Sequence, residues 1–259
     1  MRRSFLSRFV VLFLLLCLVP ADQLTAQGLA GARNEDPAIM LYLGYGPFST
    51  AGDIADRFGG GWSIDGGTSY LLRGINLEIG MRAQFGFGDQ VKEDPLASLR
   101  TRQGFLIGTQ RDPAGIRLRH RQFFIGPTLG YTLKVGRNKR AGVHLKSTFG
   151  YLFHKIRYQK DPVQRVPQLD DDFLPGYDRL VGGFAIHQFI GYQQLALDGI
   201  LNFYLGAELT VGFTRNLRNL DYDTGLPPSQ DGRTDLIPGL KAGIIIPFYL
   251  GEGREIFYK

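Results

Sequence analysis

The sequence predicts an all-β protein: an eight-stranded antiparallel up-and-down transmembrane β-barrel with a polar, plugged lumen. Three observations predict it. Eight stretches alternate apolar and polar residues with the period of a strand. Each stretch carries an apolar face and a face of small, polar or charged residues, so the two faces meet different media, hydrocarbon outside and a polar interior within. The connections between the stretches alternate long and short, the asymmetry of a barrel with tight turns on one rim and extended loops on the other.

The clearest stretch is Ile75 to Gly88, where Ile75, Leu77, Ile79, Met81, Ala83, Phe85 and Phe87 alternate with Asn76, Glu78, Gly80, Arg82, Gln84, Gly86 and Gly88. Two strands precede it. Ala38 to Pro47 sets Ile39, Leu41, Leu43 and Tyr45 against Met40, Tyr42, Gly44 and Gly46, and after Phe48 to Gly60 the next sets Trp62, Ile64, Thr68, Tyr70 and Leu72 against Ser63, Asp65, Gly67 and Ser69. Only Arg73 and Gly74 separate this second strand from the third, which predicts a two-residue hairpin.

A long polar segment, Asp89 to Gly115, contains the turn signals Asp94-Pro95 and Asp112-Pro113. The fourth strand runs from Ile116 to Val135. Arg117, Arg119 and Arg121 share the outward parity of Phe123, Ile125 and Leu129, so this strand is expected to project beyond the hydrocarbon. A basic connection, Gly136 to Gly142, leads to the fifth strand around Val143 to Phe153, and Lys160 to Gly176 forms the third long loop. The sixth strand, Tyr177 to Leu195, is irregular because Gln188 interrupts its outward face. Leu197 to Gly199 turns the chain into the seventh, Leu201 to Thr214, and Asn216 to Gly232 leads to the eighth, ending at Leu250.

The first residues read as targeting rather than fold. Arg2, Arg3 and Arg8 precede an apolar run, Phe9 to Val19, too short for a membrane-spanning helix. Residues 1–26 are expected to be a signal peptide cut after Ala26, with Ala21 and Ala30 as alternative sites. Residues 27–37 follow as a flexible leader, 38–250 as the barrel and 251–259 as a tail. Cys17, the only cysteine, lies in the apolar run, so the mature chain is expected to have no disulfide, cysteine nucleophile or cysteine metal site. The net charge of +6 raises the question of nucleic acid, but the bases are scattered without a basic helix or an aromatic RNA-binding motif, so no nucleic-acid partner is expected.

A lumen of eight strands is narrow enough for side chains to fill. The inward set contains Asp65, Glu78, Arg82, Lys146, Glu208 and Lys241. Buried charges are tolerated as paired networks, so Glu78 and Glu208 are expected to meet Arg82 and Lys241 in a plugged barrel. Inward glycines leave room for these chains, and Tyr45, Trp62, Tyr70, Tyr131, Tyr192 and Phe248 are candidates for interfacial girdles. The structural rival is a soluble lipocalin-like barrel with the same faces turned inside out around an apolar ligand.

Site chemistry is sparse. His144 and Ser147 lie on opposite faces, His120 and His154 have no nucleophile in register, and His187 reads as a lumen residue, so no catalytic residue is assigned. Asp170, Asp171 and Asp172 lack the spacing of a calcium loop, and Gly59-Gly60-Gly61 does not open a helix, so no metal or cofactor is expected. Arg100, Arg102, Arg111, Arg117, Arg119 and Arg121, in or beside the second long loop, are candidates for contact with lipopolysaccharide phosphates.

The order of parts resembles the OmpA/OmpX-like superfamily of small outer-membrane barrels over essentially the whole mature chain. In detail, Phe87-Gly88-Asp89-Gln90-Val91-Lys92-Glu93, Gly104-Phe105-Leu106-Ile107-Gly108, Val166-Pro167-Gln168-Leu169, Gly176-Tyr177-Asp178-Arg179-Leu180 and Pro247-Phe248-Tyr249-Leu250 resemble a Bacteroidota-type outer-membrane barrel family. The resemblance implies outer-membrane location and fold; the even strand count, with tight turns on the periplasmic rim, leads to the expectation that both termini are periplasmic. It implies no activity. One departure is that Gly251 to Lys259 follows the last strand, where the family ends on an aromatic.

The expected function is therefore that of a non-enzymatic, integral outer-membrane protein that is structural or binds an envelope protein partner, as an accessory subunit of an assembly or secretion complex. A narrow porin-like channel and a lipid-modifying enzyme are the alternatives, beside the lipocalin-like reading.

Overall fold

The computed structural model of the protein describes residues 36–135, 140–195 and 202–250. The expected signal peptide, most of the leader, the turn Leu197 to Gly199 and the tail 251–259 lie outside the described residues, as does most of the basic connection after the fourth strand.

Eight long strands form one closed sheet: β1 Ala38–Phe48, β2 Gly61–Leu71, β3 Leu77–Gly88, β4 Arg117–Lys134, β5 Ala141–Gln159, β6 Val181–Gln194, β7 Phe203–Asn216 and β8 Arg233–Tyr249. Each pairs antiparallel with the next. The ring closes where β1 meets β8, with Ala38 opposite Tyr249 and Tyr45 opposite Ala242. Closure pairs the backbone of every strand on both sides, the condition for crossing hydrocarbon without exposed edges. No described helix is long and apolar enough to cross a membrane.

The alternation read in the sequence sorts inside from outside as expected. Leu43, Ile79, Phe149, Leu205 and Ile246 are exposed on the outer wall, whereas Asp65, Glu78, Arg82 and Lys241 are buried inside. This overturns the lipocalin-like reading, in which the apolar face would line the interior. Such an exterior is stable against lipid chains and not against water. Aromatics mark both edges of the belt. Tyr45 and Trp62 stack with ring centroids 5.0 Å apart near the long-loop rim, while Tyr70, Tyr131, Tyr192 and Phe248 are exposed toward the other rim. Gln188, the irregularity of β6, accepts a hydrogen bond from Ser147 Oγ at 2.8 Å across the β5–β6 pair. The two outward polar groups thus satisfy each other.

Several details differ from the sequence reading, among them the end of β5, which runs to Gln159 rather than Phe153. β3 begins at Leu77 rather than Ile75, and the Leu72 N–H bonds the Leu77 carbonyl at 2.9 Å. The hairpin therefore spans residues 72–76 around Gly74, whose φ of +72° suits a residue without Cβ. β6 begins at Val181 rather than Tyr177, because residues Leu174–Gly176 form a 3₁₀ turn and Arg179 adopts φ +49°. The segment Phe48 to Gly60 is more than a loop: Ala51–Gly52 pairs with β8, and Ile54–Arg57 forms a helical turn, α1.

The long loops, residues 49–60, 89–116, 160–180 and 217–232, fold together above the barrel mouth. Ile54, Phe58, Leu96, Leu106, Leu169 and Tyr177 share one buried apolar cluster with the inward barrel residues Phe124, Leu152 and Ile156. A second cluster, built on Met40, Tyr42, Phe189, Tyr204 and Ile245, fills the opposite end. The lumen is therefore apolar where the loops cover it, whereas the second cluster is interleaved with the charged side chains of Glu78 and Lys146. The second loop, expected to be a polar segment, hides Leu96 and Leu106 and carries a small hairpin pairing Leu106 with Ala114.

Candidate functional site

Inside the barrel the charges lie at successive depths. In the central layer the Arg82 guanidinium, from β3, lies 2.9 Å from Glu208 of β7 and 3.3 Å from Asp65 of β2. Lys241 of β8 completes the square at 3.3 Å from each carboxylate and donates to Ser63 Oγ at 2.6 Å. Gln84 donates to Glu208 at 2.9 Å, and His187 Nε2 lies 3.1 Å from the same carboxylate. Two carboxylates thus face two cations, so the layer balances.

Glu78 does not join Arg82 or Lys241, contrary to the sequence expectation. It pairs with Lys146 at 2.6 Å, with His144 Nε2 at 3.5 Å and Ser69 Oγ at 3.4 Å beside it. The register is the reason. Four residues along β3 separate Glu78 from Arg82, about 13 Å at the strand rise, which places Glu78 in the layer nearer the short-turn rim. His144 Nδ1 is occupied by Thr132 Oγ1 at 2.9 Å. Glycines make this packing fit: Gly130 lies opposite Glu78 and Gly44 opposite Asp65, and a Cβ at either would collide with those side chains.

The void lined by Tyr42, Asp65, Glu78, Arg82, Lys146 and Tyr204 is about 10 Å³, roughly the room a single water requires. Above the central layer, Phe58 from the first loop stacks on His120 with centroids 4.0 Å apart and meets His154 edge-on at 5.7 Å. His154 Nε2 lies 2.9 Å from Asp235, which also accepts from Thr214 Oγ1 at 2.6 Å. The threonine bonds the acid and not the histidine, so the base and nucleophile geometry of acyl transfer is not formed.

The loops converge on Arg179. Its guanidinium meets Glu93 of the second loop at 2.6 Å, and Asp221 and Asp223 of the fourth at 2.5 and 2.6 Å. Arg57 from the first loop holds the other Glu93 oxygen at 2.6 Å and donates to the Arg179 carbonyl at 3.2 Å. Burial pushes the Glu93 carboxyl up, but Arg57 and Arg179 outweigh it and hold the group below the usual carboxylate range. For Arg179 burial acts downward, and Glu93 and Asp221 hold the cation above its ordinary value. Arg218 grips Asp178 in a fork at 2.8 and 2.6 Å beside this hub. One ion network therefore ties all four long loops into a crown.

The sequence reading missed this hub, although Glu93 and Arg179 both lie in runs that it had quoted for their resemblance. An arginine and an acid buried in separate loop motifs were the available signal, but loop pairing has no period from which to read partners. The remaining candidates scatter. Arg100 is held by Asp94 at 2.5 Å, and Arg102 and Arg111 are exposed elsewhere on the second loop. Arg117, Arg119 and Arg121 run along the outward face of the projecting β4. Asp170 and Asp171 are engaged by Arg165 and Lys160, and among the described residues no three acidic, histidine or cysteine side chains converge as metal ligands.

No protein-family model matches the chain, and no curated protein matches it. Solved structures of small outer-membrane β-barrels are similar to it in fold. Neisserial surface protein A shares 10% identity with a TM-score of 0.42, over 84% of this chain and 99% of that one. Ail, the attachment invasion locus protein of Yersinia pestis, shares 11% at a TM-score of 0.39, over 82% and 99%. The N-terminal β-barrel domain of Pseudomonas aeruginosa OprF shares 10% at 0.35, over 80% and 97%. The barrel assignment itself rests on the strand register and the distribution of apolar and charged residues described above.

Proposed function

We propose that the protein is an integral outer-membrane barrel, non-enzymatic, whose crown of external loops binds a protein partner of the cell envelope while both termini lie in the periplasm. The observation that carries this reading is the joining of four loops through Arg179 over a closed lumen. Ordering loops costs conformational entropy, and a solute channel gains nothing from it when its mouth is filled. A preorganised surface, by contrast, binds without meeting that cost again. The crown presents Phe105, Phe173 and Leu226 to the outside, apolar groups suited to the centre of a protein contact. The rims support this orientation, since tight turns suit the periplasmic side and long loops the external one.

The test is photo-crosslinking in intact cells from positions 105, 173 and 226, with a crosslinker at position 70 in the lipid belt as control. A discrete adduct from the crown positions and none from position 70 is expected. Absence of adducts from all three crown positions would overturn the partner-binding reading, and steady conductance of the purified protein in planar bilayers would favour a channel.

A further inference from the structure

On the outer wall, immediately above the hydrocarbon belt, cations face cations. The register of β4 and β5 puts Arg119 opposite Arg157 and Arg121 opposite Lys155, and one step further down Phe123 lies opposite Phe153. Side chains directly opposite each other on a sheet stand about 5 Å apart at Cβ, and like charges there repel. The local acids only partly offset this. Asp89 lies 3.5 Å from Arg119. Asp178 reaches Lys155 at 3.7 Å but is already gripped by Arg218 in a fork. Arg121 Nη1 donates to the His120 carbonyl rather than to an acid. Arg157 is exposed, and no described carboxylate lies within ion-pair distance of it. Arg119, Arg121, Lys155, Arg157 and Asp178 line a groove of about 690 Å³ that is open to the outside, where the further acid Asp171 is paired with Lys160 at 2.9 Å.

We propose that this groove binds the phosphorylated headgroup of a lipid in the external leaflet. Guanidinium forks match phosphate oxygens in pairs, and an anion between the two strands removes the like-charge repulsion. A lipid is favoured over a free anion by position: Phe123 and Phe153, both exposed, continue the groove into the belt, so a headgroup held by the arginines leaves its acyl chains against apolar wall. The site lies outside the crown contact and does not depend on it, though it does rest on the membrane-spanning reading.

The experiment compares binding of detergent-solubilised protein to bisphosphorylated lipid A and to its dephosphorylated form by native mass spectrometry. The variants are R157Q, the triple variant R119Q/R121Q/R157Q, and R102Q as a control for loop charge outside the groove. Heat-shifted gel mobility is recorded on every sample, so that loss of the barrel is distinguished from loss of the site. Expected is at least a tenfold preference of the native protein for the phosphorylated lipid, abolished in the triple variant, reduced in R157Q and retained in R102Q. Equal binding of both lipids by the native protein, or equal loss in R102Q and R157Q with the barrel intact, would overturn the proposal. Complete competition by millimolar inorganic pyrophosphate would overturn the lipid assignment.

Discussion

Arg179 and Glu93 stand 86 positions apart in the chain and close an ion pair of 2.6 Å that joins the third long loop to the second. Asp221 and Asp223 bring in the fourth loop on the same guanidinium. Removing that cation leaves three carboxylates facing one another with Arg57 alone to serve them. Arg179→Gln is expected to raise proteolytic cleavage of the loops severalfold while leaving the heat-shifted gel band of the barrel in place. The local cost is about 1–3 kcal/mol, discounted from the value of a fully buried pair because Glu93 is partly exposed. Limited trypsin digestion checks it; an unchanged digestion pattern would show that the apolar core alone holds the crown.

The same pair gives the crown a pH dependence of definite sign. The folded Glu93 carboxyl lies below its ordinary value, so its contribution is complete above the unfolded value of about 4.3. It is lost as pH falls through the lower folded value. Hydrogen exchange of the loops is expected to be constant between neutral pH and about pH 5 after correction for intrinsic rates, and to accelerate below. E93Q should remove this contribution to the acid-dependent step.

Phe58 closes the mouth at the long-loop rim, with no exposed surface and with His120 stacked on it. Phe58→Ala removes the ring and leaves a space that rigid strands cannot fill, so a loss of about 3–5 kcal/mol is expected. A lower temperature for loss of the heat-shifted band would register it.

In the central lumen layer, Glu208→Ala leaves Arg82 and Lys241 with Asp65 as their only carboxylate. A buried pair broken on one side costs about 3–5 kcal/mol. The refolded yield in detergent is expected to fall more for this variant than for Glu208→Gln, which keeps an oxygen acceptor for Gln84 and a similar volume.

Gly44→Leu tests closure itself. Gly44 lies opposite Asp65 in register, and a side chain there would strike the Tyr204 hydroxyl and the Asp65 carboxylate. Loss of the heat-shifted form is expected, whereas Gly74→Asn, in the exposed hairpin at φ +72°, should keep it because asparagine tolerates that backbone region.

The sequence by itself determined the strands, their inside and outside faces and the alternation of the rims, because each is a local property of period two: Ile79 and Glu78 declare opposite media from adjacent positions. It also placed Asp65, Arg82, Glu208 and Lys241 in the lumen. Tertiary structure alone decided which charge meets which. Glu78 takes Lys146 and leaves Arg82 to Glu208 and Asp65 because pairing depends on the stagger of strands around the ring, which no single strand encodes. It also decided that Leu96, Leu106 and Phe58 are buried and that Arg179 gathers three loops' worth of partners. Those contacts are made by irregular backbone brought together across the barrel mouth, where no periodicity exists to announce them.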